Sequence, residues 1–355
     1  MKLANLITAR VIIPSILLAC MALTSPVYGF DTRLASGKSA LAIPFELDDN
    51  HIYVRVSVNG SQPLSFILDT GASHNILSLR NAKSLGMGLQ LVGKVDGGIG
   101  SEPPDVYLIT DAVSYSLPGV ALSGQSLVAI SLDETQECLN KAAEEGKDQD
   151  IPSGQRAKAG TKRIVDGILG KDFFSSFVVE IDYASRLINL YDPHSYKYTG
   201  RGKSFPLEMD PQHIFVRAQV KAQGRLPVTA RLVVDTGSGT ALSLMKQFAE
   251  AHKLLPPDEK LTPGAHCGMG GSAKEVTLVG TLEALQLGGF KLSNPLTVFY
   301  QERVAQGDGL LGNQALQHFK AIFDYSRSQM ILEPPRQVKR IVLWNKGSVS
   351  SDTHR

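Results

Sequence analysis

The chain has 355 residues, 43% of them hydrophobic and 20% charged, with a formal net charge of +2. That length suits two domains of ordinary size, and the apolar fraction is enough to bury a core. The weak, dispersed positive charge lacks the Lys/Arg stripe of a nucleic-acid binder. The 33 glycines point to a turn-rich, β-rich chain.

The N-terminus reads as an export signal. Lys2 and Arg10 precede an apolar run from Val11 to Leu23, too short to span a bilayer comfortably and suited to a signal-peptide core. Two processing readings stand. Val27-Tyr28-Gly29 offers a cleavage site, making residues 1–29 a signal peptide, whereas Leu17-Leu18-Ala19-Cys20 resembles a lipobox that would anchor the chain through Cys20. Either reading places the mature protein outside the cytoplasm, in the periplasm or secreted. No later segment has the composition of a membrane span. Cys138 and Cys267 are two cysteines far apart, not a disulfide framework, and are expected to be free or of minor structural weight.

Self-similarity decides the organisation. Residues 166–193 recur at 308–335 without a gap, with nine identities that include Asp166-Gly167/Asp308-Gly309, Phe177/Phe319 and Asp182-Tyr183/Asp324-Tyr325. Ile52-Tyr53-Val54-Arg55 returns as Ile214-Phe215-Val216-Arg217. Asp69-Thr70-Gly71 returns as Asp235-Thr236-Gly237. The offset is 166 for the Asp-Thr-Gly triplets and 142 for the later block, so the first repeat holds 24 extra residues. The stretch 132–163 is charged and lacks strand pattern, and is expected to be an exposed inserted loop with a short helix near Glu134–Glu145. The units are placed at 38–195 and 203–336, with a polar, poorly ordered tail at 337–355.

Within each unit the pattern is β. Ile52, Val54, Val56 and Val58 alternate with other residues up to an Asn59-Gly60 turn. Phe66-Ile67-Leu68 and Leu232-Val233-Val234 are short apolar strands that run into the two triplets. Short helices are expected near Lys171–Ser176 and Asn313–His318.

One Asp-Thr-Gly is a weak signal. Here it occurs twice, each time after an apolar strand, before a glycine-rich hairpin (Gly97-Gly98-Ile99-Gly100; Gly268-Met269-Gly270-Gly271) and before an apolar-apolar-Gly block. That order resembles the retropepsin-like aspartic peptidases. The resemblance implies two tandem retropepsin-like β-barrel units around a pseudo-two-fold axis, complete in a monomer, with a homodimer as the other assembly. It implies Asp69 and Asp235 as the catalytic pair, one carboxyl protonated and the other ionised, hydrolysing a protein or peptide substrate. Thr70 and Thr236 match hydroxyls that interlock across the units. Gly71 and Gly237 are read as permitting tight turns with amides close to a carboxylate. Gly98, Ile99, Gly100, Gly268, Met269 and Gly270 match flaps over substrate. Ile168-Leu169-Gly170 and Leu310-Leu311-Gly312 match the packing behind each catalytic loop.

Ser238, which stands where the first unit has Ala72, is expected to donate to Asp235 and keep that carboxyl the more negative. Asp182 and Asp324 read as turn residues, and Asp166 and Asp308 as caps of the segments that follow. His74 lies near the first triplet. His266-Cys267 lacks a second ligand pair, so no metal is implied, and neither is a cofactor. The rival function is a peptidase-shaped protein that holds a peptide or polymer without cutting it.

Overall fold

The computed structural model describes residues 31–34, 37–95, 103–145, 164–264, 267–268, 271–272, 277–301, 306–334 and 342–343. The signal segment 1–29, the hairpin residues Gly98, Ile99, Gly100, Met269 and Gly270, and most of the tail lie outside them.

Among the described residues the molecule is built from two eleven-stranded sheets, one per repeat, a six-stranded sheet to which both contribute, and a two-stranded ribbon of Cys267–Gly268 with Gly271–Ser272. In the first unit, strand His51–Val58 turns through Asn59 and Gly60, whose φ values of 48° and 76° suit a tight hairpin, and pairs antiparallel with Leu64–Leu68. The alternation expected for this strand is only half observed. Tyr53 is buried along with Ile52 and Val54, because the strand is covered on both faces where it approaches the triplet.

The strand that leads into Asp69 pairs parallel with Gly167–Leu169, which pairs antiparallel with Ile76–Ser78, which in turn pairs parallel with Val128–Ile130. The second unit repeats this order. Val228–Asp235 lies parallel to Gly309–Gly312, then antiparallel Leu242–Met245, then parallel Leu296–Tyr300. The repeated Asp-Gly-apolar-Leu-Gly block is thus the strand threaded between the two arms of each catalytic loop, and its leading aspartate is an anchor rather than a cap. Asp166 Oδ2 accepts from the Ser65 amide at 2.9 Å, and Asp308 Oδ2 from the Arg231 amide at 2.8 Å, four residues before each triplet's aspartate.

The short helices form at Lys171–Ser176 and Asn313–Leu316. Their first residues reach across to the opposite unit. Lys171 Nζ donates to the carbonyl oxygens of Asp210 and Pro211, and Asn313 Nδ2 donates to the Asn50 carbonyl oxygen. Asp182 and Asp324 are turn residues as expected. Each accepts main-chain N–H bonds from the turn that follows, Asp182 from Ala184 and Ser185, and Asp324 from Arg327.

The six-stranded sheet fuses the units. Its centre is the antiparallel pair Val178–Asp182 and Lys320–Asp324, one strand from each repeat, with Val179 opposite Phe323. Beneath it, Phe174 packs edge-on to Phe323 at 5.5 Å and stacks with Tyr325 at 5.7 Å. Both phenylalanines are fully buried, and the main apolar core runs through them from one unit into the other.

Three expectations change. The helix expected in the insertion forms at Asp133–Glu145, but it is not fully exposed, since Leu132 and Leu139 are buried against the first unit. The acidic Asp133 and Glu134 in its first turn suit the helix dipole. Cys138 and Cys267 are not free but form a disulfide between that helix and the second unit. Among the described residues of the polar tail, Val342–Leu343 pairs with Phe290–Ser293.

Phe323→Ala removes an aromatic ring from the sheet that joins the units. Urea unfolding is expected to show a loss of about 3–5 kcal/mol.

Candidate active site

The two triplets meet where the repeats face each other. Thr70 and Thr236 are buried, at 1% and 0% exposure, and lock together reciprocally. The Thr70 amide donates to Thr236 Oγ1 and the Thr236 amide to Thr70 Oγ1, both at 3.0 Å. Each hydroxyl then donates across the junction at 2.8 Å, Thr70 to the Val234 carbonyl oxygen and Thr236 to that of Leu68. Six buried polar groups where the two strands cross are thereby satisfied by four bonds without water.

The glycines act through size. Neither Gly71 nor Gly237 occupies the left-handed region, so the freedom expected of them is not what the site uses. A methyl carbon on Gly71 would sit 2.7 Å from Asp235 Cγ, and one on Gly237 would press still closer on Asp69 Cγ. Each triplet's glycine therefore makes room for the other triplet's carboxylate.

Asp69 and Asp235 are brought together, close enough to hydrogen-bond to one another, each half-buried by its neighbours. The Gly71 amide donates to Asp69 Oδ1 at 2.7 Å, and the Gly237 and Ser238 amides to Asp235 Oδ1 at 2.9 and 3.0 Å. Burial pushes both carboxyls above the usual carboxylate range. For Asp69 the rise is opposed by the Gly71 amide, by Asp235, by the Ala72 amide and by the charge of His51. For Asp235 the negative charge of Asp69 adds to burial and carries it well above that range. The two buried carboxyls therefore titrate as a pair that holds one proton between them.

The side-chain bond expected from Ser238 to Asp235 is not made. The serine's hydroxyl pairs with Thr240 Oγ1 at 2.9 Å, which in turn pairs with Ser243 Oγ at 3.0 Å, and only its amide serves Asp235. The hydroxyl is drawn into a chain within its own loop.

His74 is exposed and sits 3.4 Å from Asp172, whose hydrogen bond holds the imidazole above its ordinary range. Gly268 lies in the short strand Cys267–Gly268, and its carbonyl oxygen accepts from the Thr135 hydroxyl of the inserted helix at 2.8 Å.

Two histidines escape a motif search. His51 and His213 stand at equivalent places, each one residue before the repeated Ile-aromatic-Val-Arg, and each lies near the aromatic residue two positions on. His213 is held below its ordinary range chiefly by burial, with Lys171 adding to that and Asp210 and Asp69 opposing it. The available signal was their position in the repeat, 162 residues apart.

Comparison with known families agrees with this geometry. The aspartyl protease family matches residues 54–173 and 218–315, one match per unit. The chain belongs to that family. No curated protein sequence matches the chain. Among solved structures, basic 7S globulin from soybean is similar over 82% of this chain and 94% of its own, at 11% identity and a TM-score of 0.42.

Thr70→Val keeps the side-chain shape but strips the hydroxyl, leaving the Thr236 amide and the Val234 carbonyl without their partner. Chemical denaturation is expected to show a loss of about 1–3 kcal/mol for each group left unsatisfied, with Thr70→Ser close to the parent. Asp235→Asn removes the carboxyl whose folded value is raised. That group's contribution to stability is fully present below the unfolded carboxylate range and is lost as pH rises through the folded value. Thermal melts should therefore show the variant more stable than the parent at neutral pH, with the difference vanishing below about pH 4.

Proposed function

We propose that this protein is an aspartic endopeptidase that hydrolyses peptide bonds of exported or envelope proteins, with Asp69 and Asp235 as its catalytic pair in a single chain. The observation that carries this reading is the meeting of two buried carboxyls, close enough to share a proton, in a frame that both repeats build. Ionised Asp69 takes a proton from the attacking water as its oxygen bonds to the scissile carbonyl carbon. Protonated Asp235 gives its proton to the carbonyl oxygen. Collapse of the tetrahedral intermediate expels the amine and returns the dyad to one shared proton. Nothing in this cycle asks for a metal or cofactor.

The disulfide between Cys138 and Cys267 supports an oxidising compartment, in keeping with export by the N-terminal signal. No helix among the described residues is long and apolar enough to cross a membrane. The alternative of a non-cutting, peptide-holding protein keeps the fold but does not call for a carboxyl poised to give up its proton.

Incubating the protein with a mixed peptide library from about pH 3 to pH 8 separates the two. Cleavage by the parent, lost in both Asp69→Asn and Asp235→Asn, is the expected outcome. Binding of peptides without any cleavage across that range would make the holding function the correct one, and loss of activity in only one variant would refute the shared dyad.

A further inference from the structure

The two units differ most beside the dyad. In the second unit the connection from Leu296–Tyr300 to Gly309–Gly312 takes eight residues, and in the first the equivalent connection from Val128–Ile130 to Gly167–Leu169 takes thirty-six. Its helix, Asp133–Glu145, lays Leu139, with Leu132 just before it, on an apolar cluster with Tyr53, Ile67, Ala72 and Ile168. Ala72 directly follows the Asp69-Thr70-Gly71 triplet, so this cluster flanks the carboxyl pair.

Onto the same cluster comes Cys267, from the glycine-rich hairpin of the opposite unit. It is bonded to Cys138 on the helix, 129 residues away in sequence. The Thr135 hydroxyl, one turn earlier on the helix, adds the bond to the Gly268 carbonyl oxygen. One covalent bond, one hydrogen bond and an apolar contact thus join the second unit's hairpin to the first unit. The first unit's own hairpin, Leu89–Lys94 with Asp105–Ile109, stands out from the body. Its outer strand is largely exposed, with Leu91 at 57% and Val92 at 56%.

We infer that the Cys138–Cys267 bridge and its helix hold the second hairpin as a fixed wall of the substrate site. This rests on the peptidase reading for what the wall contacts, a peptide chain lying across the dyad. A wall already in place spares the ordering that a peptide would otherwise impose on that hairpin, so it favours binding more than turnover.

Amide hydrogen exchange on the full chain, oxidised and then reduced with dithiothreitol to two thiols, tests the wall directly. The Cys138→Ser/Cys267→Ser double variant and reoxidation of the reduced parent serve as controls for folding. Loss of the bridge should speed exchange at Cys267–Gly268 and in the paired strands Thr262–Gly264 and Thr277–Thr281 by about tenfold or more, leaving Leu89–Lys94 unchanged. Peptide cleavage should show KM raised about tenfold with a smaller change in kcat. Equal exchange in the oxidised and reduced forms overturns the inference, and so does an unchanged KM. Absence of cleavage in every form counts against the peptidase reading alone, because the exchange comparison still decides whether the hairpin is held.

Discussion

Everything at the centre of this molecule hangs on two threonine hydroxyls that exchange hydrogen bonds with each other's main chain. An aspartate at the end of a strand is mobile by nature, and two of them repel. Here the residue next to each aspartate is bonded to the opposite strand, so neither carboxyl is able to retreat without breaking buried bonds on both sides. Burial then does the electrical work. Two carboxyls in a setting that disfavours charge settle on one proton between them, and the surroundings of each decide where it rests.

The six-stranded sheet and the crossing Lys171 and Asn313 bonds extend the same logic outward. Each ties a piece of one repeat to a piece of the other close to the catalytic loops. The repeats have diverged at these points: a lysine in one answers an asparagine in the other, and a turn of Pro211 and Gln212 answers one of Asp49 and Asn50. Their bonding directions nevertheless correspond. The duplicated frame has kept its geometry while its side chains went separate ways.

Legibility in the sequence followed how local each feature was. The triplets, the short helices after each Leu-Gly and the turn role of Asp182 and Asp324 were readable because strand, turn and helix signals lie within a few neighbouring residues, whereas the role of the threonines came from the family resemblance. What failed depended on partners distant in sequence. Ser238 was expected to serve Asp235, yet Thr240 stands nearer to its hydroxyl. Gly71 and Gly237 do lie in turns with their amides on a carboxylate, but their lack of a side chain is needed for space for a carboxylate 164 and 168 residues away, respectively. Asp166 and Asp308 were read forward along the chain and instead bond backward to the incoming strand. Charge in the insertion hid Leu132 and Leu139, whose spacing gives two turns of one helical face. The disulfide had no sequence signature, since two cysteines pair only where the fold brings them together.

Covalent fusion of the repeats has a consequence for how such a site diversifies. When one gene product supplies both halves by self-association, any insertion appears twice, and a bond between unlike positions must be made twice around the axis. In a single chain each half mutates alone. A helix is added on one side only, a cysteine on that helix finds its mate on the other half, and a symmetric ancestor acquires a left and a right without losing the matched aspartates on its axis.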